Sequence, residues 1–96
     1  MLILVTYDVE TVTPKGRHRL QMVAKACKNY GQRVQNSVFE CVVDYTQYTQ
    51  LKIELQSLID TKNDSIRIYN LGNKYQQKVE TMGKTKGVDI EGDLIL

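Results

Sequence analysis

The sequence contains no tryptophan, one phenylalanine, one proline and two cysteines, and these shortages exclude several classes of protein. Cys27 and Cys41 form neither a C-x-x-C pair nor a metal-ligand spacing, so a zinc site or a disulfide framework is not indicated. We expect two buried, reduced thiols in a cytoplasmic protein. The apolar N-terminal run at residues 1–8 is too short for a signal sequence or a membrane span, and no membrane association is predicted.

A chain of 96 residues predicts one domain over residues 1–96 with a modest core of its own. The formal net charge of +2 is too small to identify a nucleic-acid-binding protein. The distribution of charge is more informative, because residues 15–33 contain basic side chains and no acid. Such a run favours a surface that binds a polyanion. The basic residues of this run are Lys15, Arg17, Arg19, Lys25, Lys28 and Arg33.

Apolar periodicity and turn residues predict two helices among several short strands. Thr13 and Pro14 have the pattern of a helix cap followed by proline at the first helical position, and Gly31 is the expected C-cap. In chain order the predicted elements are a strand at 2–8, a helix at 14–31, a strand at 33–44, a helix at 46–60, a strand at 64–71, a weaker strand at 77–83 and a C-terminal strand at 88–96.

These elements predict an α+β fold, a ferredoxin-like βαββαβ sandwich with an added C-terminal strand. The fold requires two strands between its helices, so the long strand at 33–44 has to be split or bent, with Asn36-Ser37 as the candidate break. Two helices would cover one face of the sheet. The other face, expected to carry Phe39, would lack a cover, which a second copy of the chain would supply. The apolar tail would then add to the edge of a partner's sheet.

Two segments carry a resemblance to a known family. The end of the first strand, LVTYDV (residues 4–9), followed by the basic helix and by GQRVQNSVFEC (residues 31–41), resembles the CRISPR-associated protein 2 family over nearly the whole chain. Within that family the chain is similar to bacterial members of the type I-C-like subgroup. The resemblance implies a homodimer with facing sheets and exchanged C-terminal strands at residues 88–96. Phe39, Leu94 and Ile95 are expected at its interface.

The resemblance also implies a function in CRISPR adaptation, in which the protein binds duplex DNA and bridges the integrase partner during spacer acquisition. Some members show divalent-metal-dependent nuclease activity on RNA or double-stranded DNA. Asp8 matches the position of the family's metal-binding aspartate, so Mg²⁺ or Mn²⁺ is the expected cofactor. In a two-fold dimer Asp8 would meet its symmetry mate, and a metal-bound water would be the nucleophile. The alternative is that Asp8 caps the following loop.

The basic helix raises a question, because cations oppose the dipole at a helix N-terminus. A bound phosphate would reverse that effect, with Arg17 and Arg19 as its ligands and Gly16 allowing close approach. Lys15, Lys25, Lys28 and Arg33 would extend the DNA-binding surface. The alternative is a solvated helix face.

Other functions fit the sequence less well. The ferredoxin-like fold also hosts RNA-binding modules without catalytic activity, but the aromatic pattern of an RRM domain is absent. A small-molecule regulatory domain would require a pocket motif that we do not find. His18 and Ser37 have no partners that would make them catalytic.

Overall fold

An unbroken run of β-forming apolar residues makes the first strand, and helix caps set the start of both helices. The structure is a computed structural model and describes residues 1–84; the predicted strand at 88–96, with Leu94 and Ile95, lies outside the described residues. The elements are β1 (Leu2–Asp8), α1 (Pro14–Lys28), β2 (Gln32–Gln35), β3 (Val38–Val42), α2 (Tyr45–Leu58) and β4 (Ser65–Gly72).

The four strands form one antiparallel sheet in the order β2-β3-β1-β4. This is the βαββαβ order of a ferredoxin-like sandwich, so the predicted fold is confirmed. The long strand is split at Asn36-Ser37, as the fold required. The weaker strand predicted at 77–83 was wrong, because that segment forms no strand in the structure. Its few apolar residues lack the alternation of a half-buried strand. The division of the long strand into β2 and β3 already gives the fold its four strands.

The core lies between the sheet and the two helices. Ile3, Val5 and Tyr7 of β1 belong to one buried cluster with residues of both helices. Phe39 pairs with Val5 in the sheet register and is 1% exposed in this same cluster. The prediction that Phe39 lies on the uncovered face was therefore wrong. Period-two alternation allows either assignment, and the position of the helices decides between them.

Within residues 1–84, the opposite face of the sheet carries no helix. Its residues alternate with those of the core and include Leu4, Val42 and Tyr69. Val42 and Tyr69 are 41% and 43% exposed, which is high for large apolar side chains on a sheet. We call this surface the outer face. Asp8 lies on the outer face at the end of β1. It is four positions after Leu4, and every second residue of a strand points to the same face.

The observed start of α1 agrees with the cap predicted from the sequence, whereas its observed end differs from the prediction. Thr13 Oγ1 accepts a hydrogen bond from Gly16 N at 3.0 Å, and Pro14 opens α1. Asp44 caps α2. The predicted cap at Gly31 is replaced by Asn29, so α1 is shorter than expected. Among the described residues, no helix is long and apolar enough to cross a membrane.

Candidate functional site

Asp8 is exposed at the C-terminal end of β1, where it faces Ser65 of β4 in the sheet register. Within residues 1–84 its carboxylate has neither a hydrogen bond nor an ion pair. The alternative reading, in which Asp8 caps the following loop, is therefore not what the structure shows. An exposed carboxylate without an internal partner is free to bind a cation or a ligand.

The loop after Asp8 is held instead by a buried carboxylate that sequence reasoning missed. Asp64 Oδ1 accepts a hydrogen bond from the backbone N–H of Glu10 at 3.0 Å. Its Oδ2 accepts from Arg19 Nε at 2.7 Å and from the backbone N–H of Asp60 at 2.9 Å. Asp64 thus ties the β1–α1 loop, helix α1 and the α2–β4 turn together. The only sequence signal was a basic residue in α1 without a nearby acid.

Asp64 and Arg19 form a salt bridge, so their opposite charges compensate each other. The Asp64 side chain is fully buried, and that of Arg19 is 20% exposed. The hydrogen bond from Arg19 lowers the pKa of Asp64 below its ordinary value, although burial opposes the shift. The same bond raises the pKa of Arg19. Because an internal carboxylate already satisfies Arg19, its charge is less available to a phosphate than we expected from the sequence.

The N-terminus of α1 is covered by the protein's own loop. Arg17 Nη1 donates to the carbonyl oxygens of Thr11 and Val12 at 3.1 and 3.4 Å. An added Cβ on Gly16 would collide with the carbonyl oxygen of Glu10. The close approach that Gly16 allows is therefore made by residues of the loop. Phosphate binding at the start of α1 stays a prediction. Arg17 remains exposed, and its guanidinium group carries donors besides Nη1.

Other cations of α1 are exposed on one side of the helix. Arg17, Lys25 and Lys28 follow each other at spacings of eight and three residues, which places them along one face. We call these three residues the basic stripe; it extends over roughly 16 Å of helix. Lys25 and Lys28 also lie in the last turn, where cations are favoured by the helix dipole, so part of the stripe has a structural reason as well. Lys15 is exposed in the first turn.

Arg33 lies on β2 next to the core rather than on the helix. Its guanidinium carbon is 5.3 Å from the centre of the Phe39 ring, a cation–π distance. Tyr7 stacks on Phe39, with the two ring centroids 6.2 Å apart. Burial raises the pKa of Tyr7, and the charge of Arg33 opposes that shift. Arg33 is exposed and could still contact a phosphate from this position.

The residues present fit a hydrated divalent cation only in part. In the described part of the chain no three acidic, histidine or cysteine side chains are grouped for a metal ion. Mg²⁺, however, keeps several waters and is commonly held by one or two carboxylates. Asp8 supplies one hard oxygen donor on the outer face, where a second copy of the chain would supply another. As a hard oxygen donor, the Asp8 carboxylate is of the type that Mg²⁺ and Mn²⁺ prefer. The cofactor, and the completion of the site by a second copy of the chain, stay predictions.

The structure is that of a small α+β protein of the ferredoxin-like class. Within residues 1–84, its distinguishing features are a carboxylate without a partner at the end of β1 and a basic first helix. The family model described as "CRISPR associated protein Cas2" matches residues 1–79. The chain therefore belongs to the Cas2 family of CRISPR-associated proteins. The finer assignment to a type I-C-like subgroup stays a prediction.

Individual relatives agree with the family assignment. The chain is 62% identical over 95 residues to the CRISPR-associated endonuclease Cas2 of Halalkalibacterium halodurans, covering 99% of each chain. It is 55% identical over 96 residues to the CRISPR-associated endoribonuclease Cas2 of Chlorobaculum tepidum, covering 100% of both. The crystal structure of Streptococcus pyogenes Cas2 matches with a TM-score of 0.75 and 58% identity, over 86% of this chain and 100% of that one.

Proposed function

We propose that this chain acts in CRISPR adaptation as a homodimer that binds duplex DNA and bridges the integrase partner. The basic stripe of α1 carries the proposal, because it is an exposed row of cations without an acidic side chain in the first turn or between its members. Cations spaced along a helix contact phosphates and give affinity without sequence specificity. The names of the relatives support the CRISPR context.

The outer face supports the homodimer. It exposes Val42 and Tyr69, while both helices cover the opposite side of the sheet. A second copy facing it would remove apolar surface from water, at roughly 25 cal/mol for each Å² buried. Residues 88–96 are the proposed strand exchanged between subunits and the proposed contact with the integrase. A chain that ends at residue 87 should then fail to co-purify with the integrase while it keeps its helical circular dichroism.

A metal-dependent nuclease activity is the second part of the proposal, and the free carboxylate of Asp8 favours it. Facing outer faces would bring the two Asp8 side chains of a dimer toward one another. Asp8 would hold Mg²⁺ or Mn²⁺, which would supply a water of lowered pKa for attack on a phosphodiester. The chain's own contribution is to orient the carboxylate at the strand end and to place bound phosphates with the basic stripe. Duplex DNA and single-stranded RNA are the two candidate substrates.

One experiment separates binding from cleavage. Wild type, Asp8→Asn and the control Asp44→Asn are incubated with duplex DNA or single-stranded RNA in Mg²⁺, Mn²⁺ or EDTA. Affinity is measured in the same samples. We expect Asp8→Asn to keep DNA affinity within about twofold and to lose cleavage by at least about a hundredfold. Asp44 caps α2 with a bond to Gln47 N, so Asp44→Asn should behave as wild type.

The outcomes discriminate between the two parts of the proposal. If the wild type binds duplex DNA tightly but cleaves nothing in any metal, the nuclease part fails and a non-catalytic DNA-binding protein remains. If wild type and Asp8→Asn cleave equally, the activity does not come from Asp8. If the wild type does not bind duplex DNA at moderate salt, the assignment of the basic stripe is wrong.

A further inference from the structure

The β1–α1 loop is fixed at nearly every residue, although it contains no regular structure. Asp64 Oδ1 accepts a hydrogen bond from the backbone N–H of Glu10. Glu10 Oε1 in turn accepts a hydrogen bond from the backbone N–H of Val12 at 2.6 Å. Arg17 binds the carbonyls of Thr11 and Val12. Such a loop immediately follows the free carboxylate of Asp8. A loop held this firmly beside a candidate metal ligand indicates a preorganised site.

Asp64 is the central member of this network. It directly precedes Ser65, which pairs with Asp8 across the sheet. Its two oxygens accept from three chain segments, with Arg19 Nη2 at 3.4 Å as a further donor to Oδ1. Asp64 therefore ties the segment that follows β1 to the start of β4, on either side of the Asp8–Ser65 pair, and no hydrogen bond joins it to the Asp8 carboxylate within residues 1–84. In many proteins, groups outside the coordination shell orient the metal-binding side chains. Here the connection to Asp8 would run through the backbone at Glu10.

We propose that Asp64, acting through the Glu10 amide and Arg19, is a positioning residue that holds the Asp8 carboxylate for a divalent cation. The inference rests on the proposed role of Asp8 as a metal ligand. Loss of the Asp64 carboxylate would leave the Glu10 N–H and the Arg19 guanidinium without their partner. The backbone after Asp8 would then sample more conformations, and the cation would have to order it on binding.

A purely structural role predicts a different result. The core cluster is formed by apolar residues of the sheet and helices, and Asp64 is not part of it. If Asp64 only stabilised the fold, its loss would lower the melting temperature and leave the metal affinity of the folded protein unchanged. Asp44→Ala provides the matched comparison, because it removes a buttressing carboxylate from the start of α2, far along the chain from the loop.

The test uses Mn²⁺ alone, without a nucleic acid, and measures its free concentration by electron paramagnetic resonance. Wild type, Asp64→Asn, Asp8→Asn and Asp44→Ala are titrated as full chains, well below each melting temperature. We expect Asp64→Asn to raise the Mn²⁺ dissociation constant by about tenfold or more, the size seen for lost partners of metal ligands. Hydrogen exchange at the Glu10 amide should also become faster. Asp44→Ala should change neither quantity.

The possible failures are distinguishable. If Asp64→Asn binds Mn²⁺ as wild type does while Asp8→Asn does not, the positioning role is wrong and the proposed site stands. If Asp8→Asn binds as wild type, the proposed metal site fails and the inference fails with it. Should Asp64→Asn not fold, Arg19→Gln replaces it, since the Arg19 side chain is partly exposed. Unchanged Mn²⁺ binding by Arg19→Gln would then overturn the inference.

Discussion

The carbonyl oxygen of Glu10 occupies the space where a side chain on Gly16 would begin. Glu10 belongs to the loop after β1, and Gly16 lies in the first turn of α1. The loop therefore rests directly on the helix backbone, and the absence of a Cβ permits this contact. The approach of these two residues explains how the β1–α1 junction is closed, with the start of α1 shielded by the chain itself.

The first prediction concerns Gly16→Ala. In an ordinary helix this change is favourable by about 1 kcal/mol, because alanine is the better helix former. Here we expect the opposite sign, with the free energy of unfolding lowered by about 1–3 kcal/mol, since the Cβ collides with backbone. Urea denaturation followed by circular dichroism measures the change. Gln21→Ala on the exposed side of α1 is the control, and a stabilised Gly16→Ala protein would contradict the close contact.

The second prediction concerns the pH dependence that Asp64 contributes. Its pKa is lower in the folded protein than in the unfolded chain, chiefly through the bond from Arg19, so the unfolded chain binds the proton more tightly. The contribution of Asp64 is therefore complete above the unfolded pKa of about 3.9 and is lost as the pH falls through the lower, folded value. Asp64→Asn should lower the free energy of unfolding by about 1–3 kcal/mol near neutral pH.

The difference between wild type and Asp64→Asn should shrink as the solution is acidified through that range. Urea denaturation of both proteins over a pH series gives this difference directly. Asp60 also has a lowered pKa, caused first by the N–H of Lys62, and its share remains in the variant. A difference that stays constant down to the most acid pH would show that Asp64 is not ionised in the folded protein.

Local patterns predicted most of the fold, and non-local contacts account for what they missed. The caps at Thr13 and Pro14 and the split at Asn36-Ser37 could be predicted because short-range chemistry determines them. Asp64 could not, because its partner Arg19 is 45 positions away in the chain. Phe39 was placed on the wrong face for a related reason. A strand with two apolar faces does not reveal which side the helices will cover.

The candidate site also has a part that the sequence predicts and a part that depends on non-local contacts. Asp8 at the strand end was predictable from the sequence, and its carboxylate has no hydrogen bond or ion pair with the rest of residues 1–84. The run of cations was treated as one surface, yet the fold separates its members. Arg19 is paired with a buried acid, and Arg33 lies over an aromatic ring. One-dimensional spacing gives the charge of a segment but not the internal partner of each side chain.

The third prediction concerns the two thiols. Burial raises the pKa of Cys27 to about 12 and that of Cys41 to about 11. Because the thiolate is the reactive form, both residues should resist thiol reagents near neutral pH while the protein is folded. Titration with Ellman's reagent should detect both cysteines only after a denaturant is added. Rapid modification of either thiol in the folded protein would contradict the burial.

The fourth prediction separates core from outer face. Phe39→Leu should lower the free energy of unfolding by about 1–2 kcal/mol and leave the association state unchanged, since Phe39 has almost no exposed surface. Val42→Glu should keep the fold but dissociate the proposed homodimer, because it puts a charge on the outer face. Sedimentation velocity measures the mass of each variant. Dissociation by Phe39→Leu together with intact dimers of Val42→Glu would place the interface elsewhere.

The fifth prediction compares two cations of α1 that the sequence does not distinguish. Lys25 is exposed and belongs to the basic stripe, whereas Arg19 is bound to Asp64. Counterion release makes the logarithm of DNA affinity fall linearly with the logarithm of salt, by about 0.9 per phosphate contact. Lys25→Gln should therefore reduce the magnitude of that slope by about 0.9 for each subunit whose Lys25 contacts a phosphate. Arg19→Gln should reduce it less, because the charge of Arg19 is largely neutralised within the protein.

Fluorescence anisotropy with a labelled duplex over a series of salt concentrations measures both slopes. Lys62→Gln is the matched control, since Lys62 is exposed in the α2–β4 turn and lies outside the basic stripe. If Arg19→Gln reduced the slope as much as Lys25→Gln did, Arg19 would have to exchange Asp64 for a phosphate when DNA binds. The β1–α1 loop would then be released on binding, and faster hydrogen exchange at the Glu10 amide in the complex would report it.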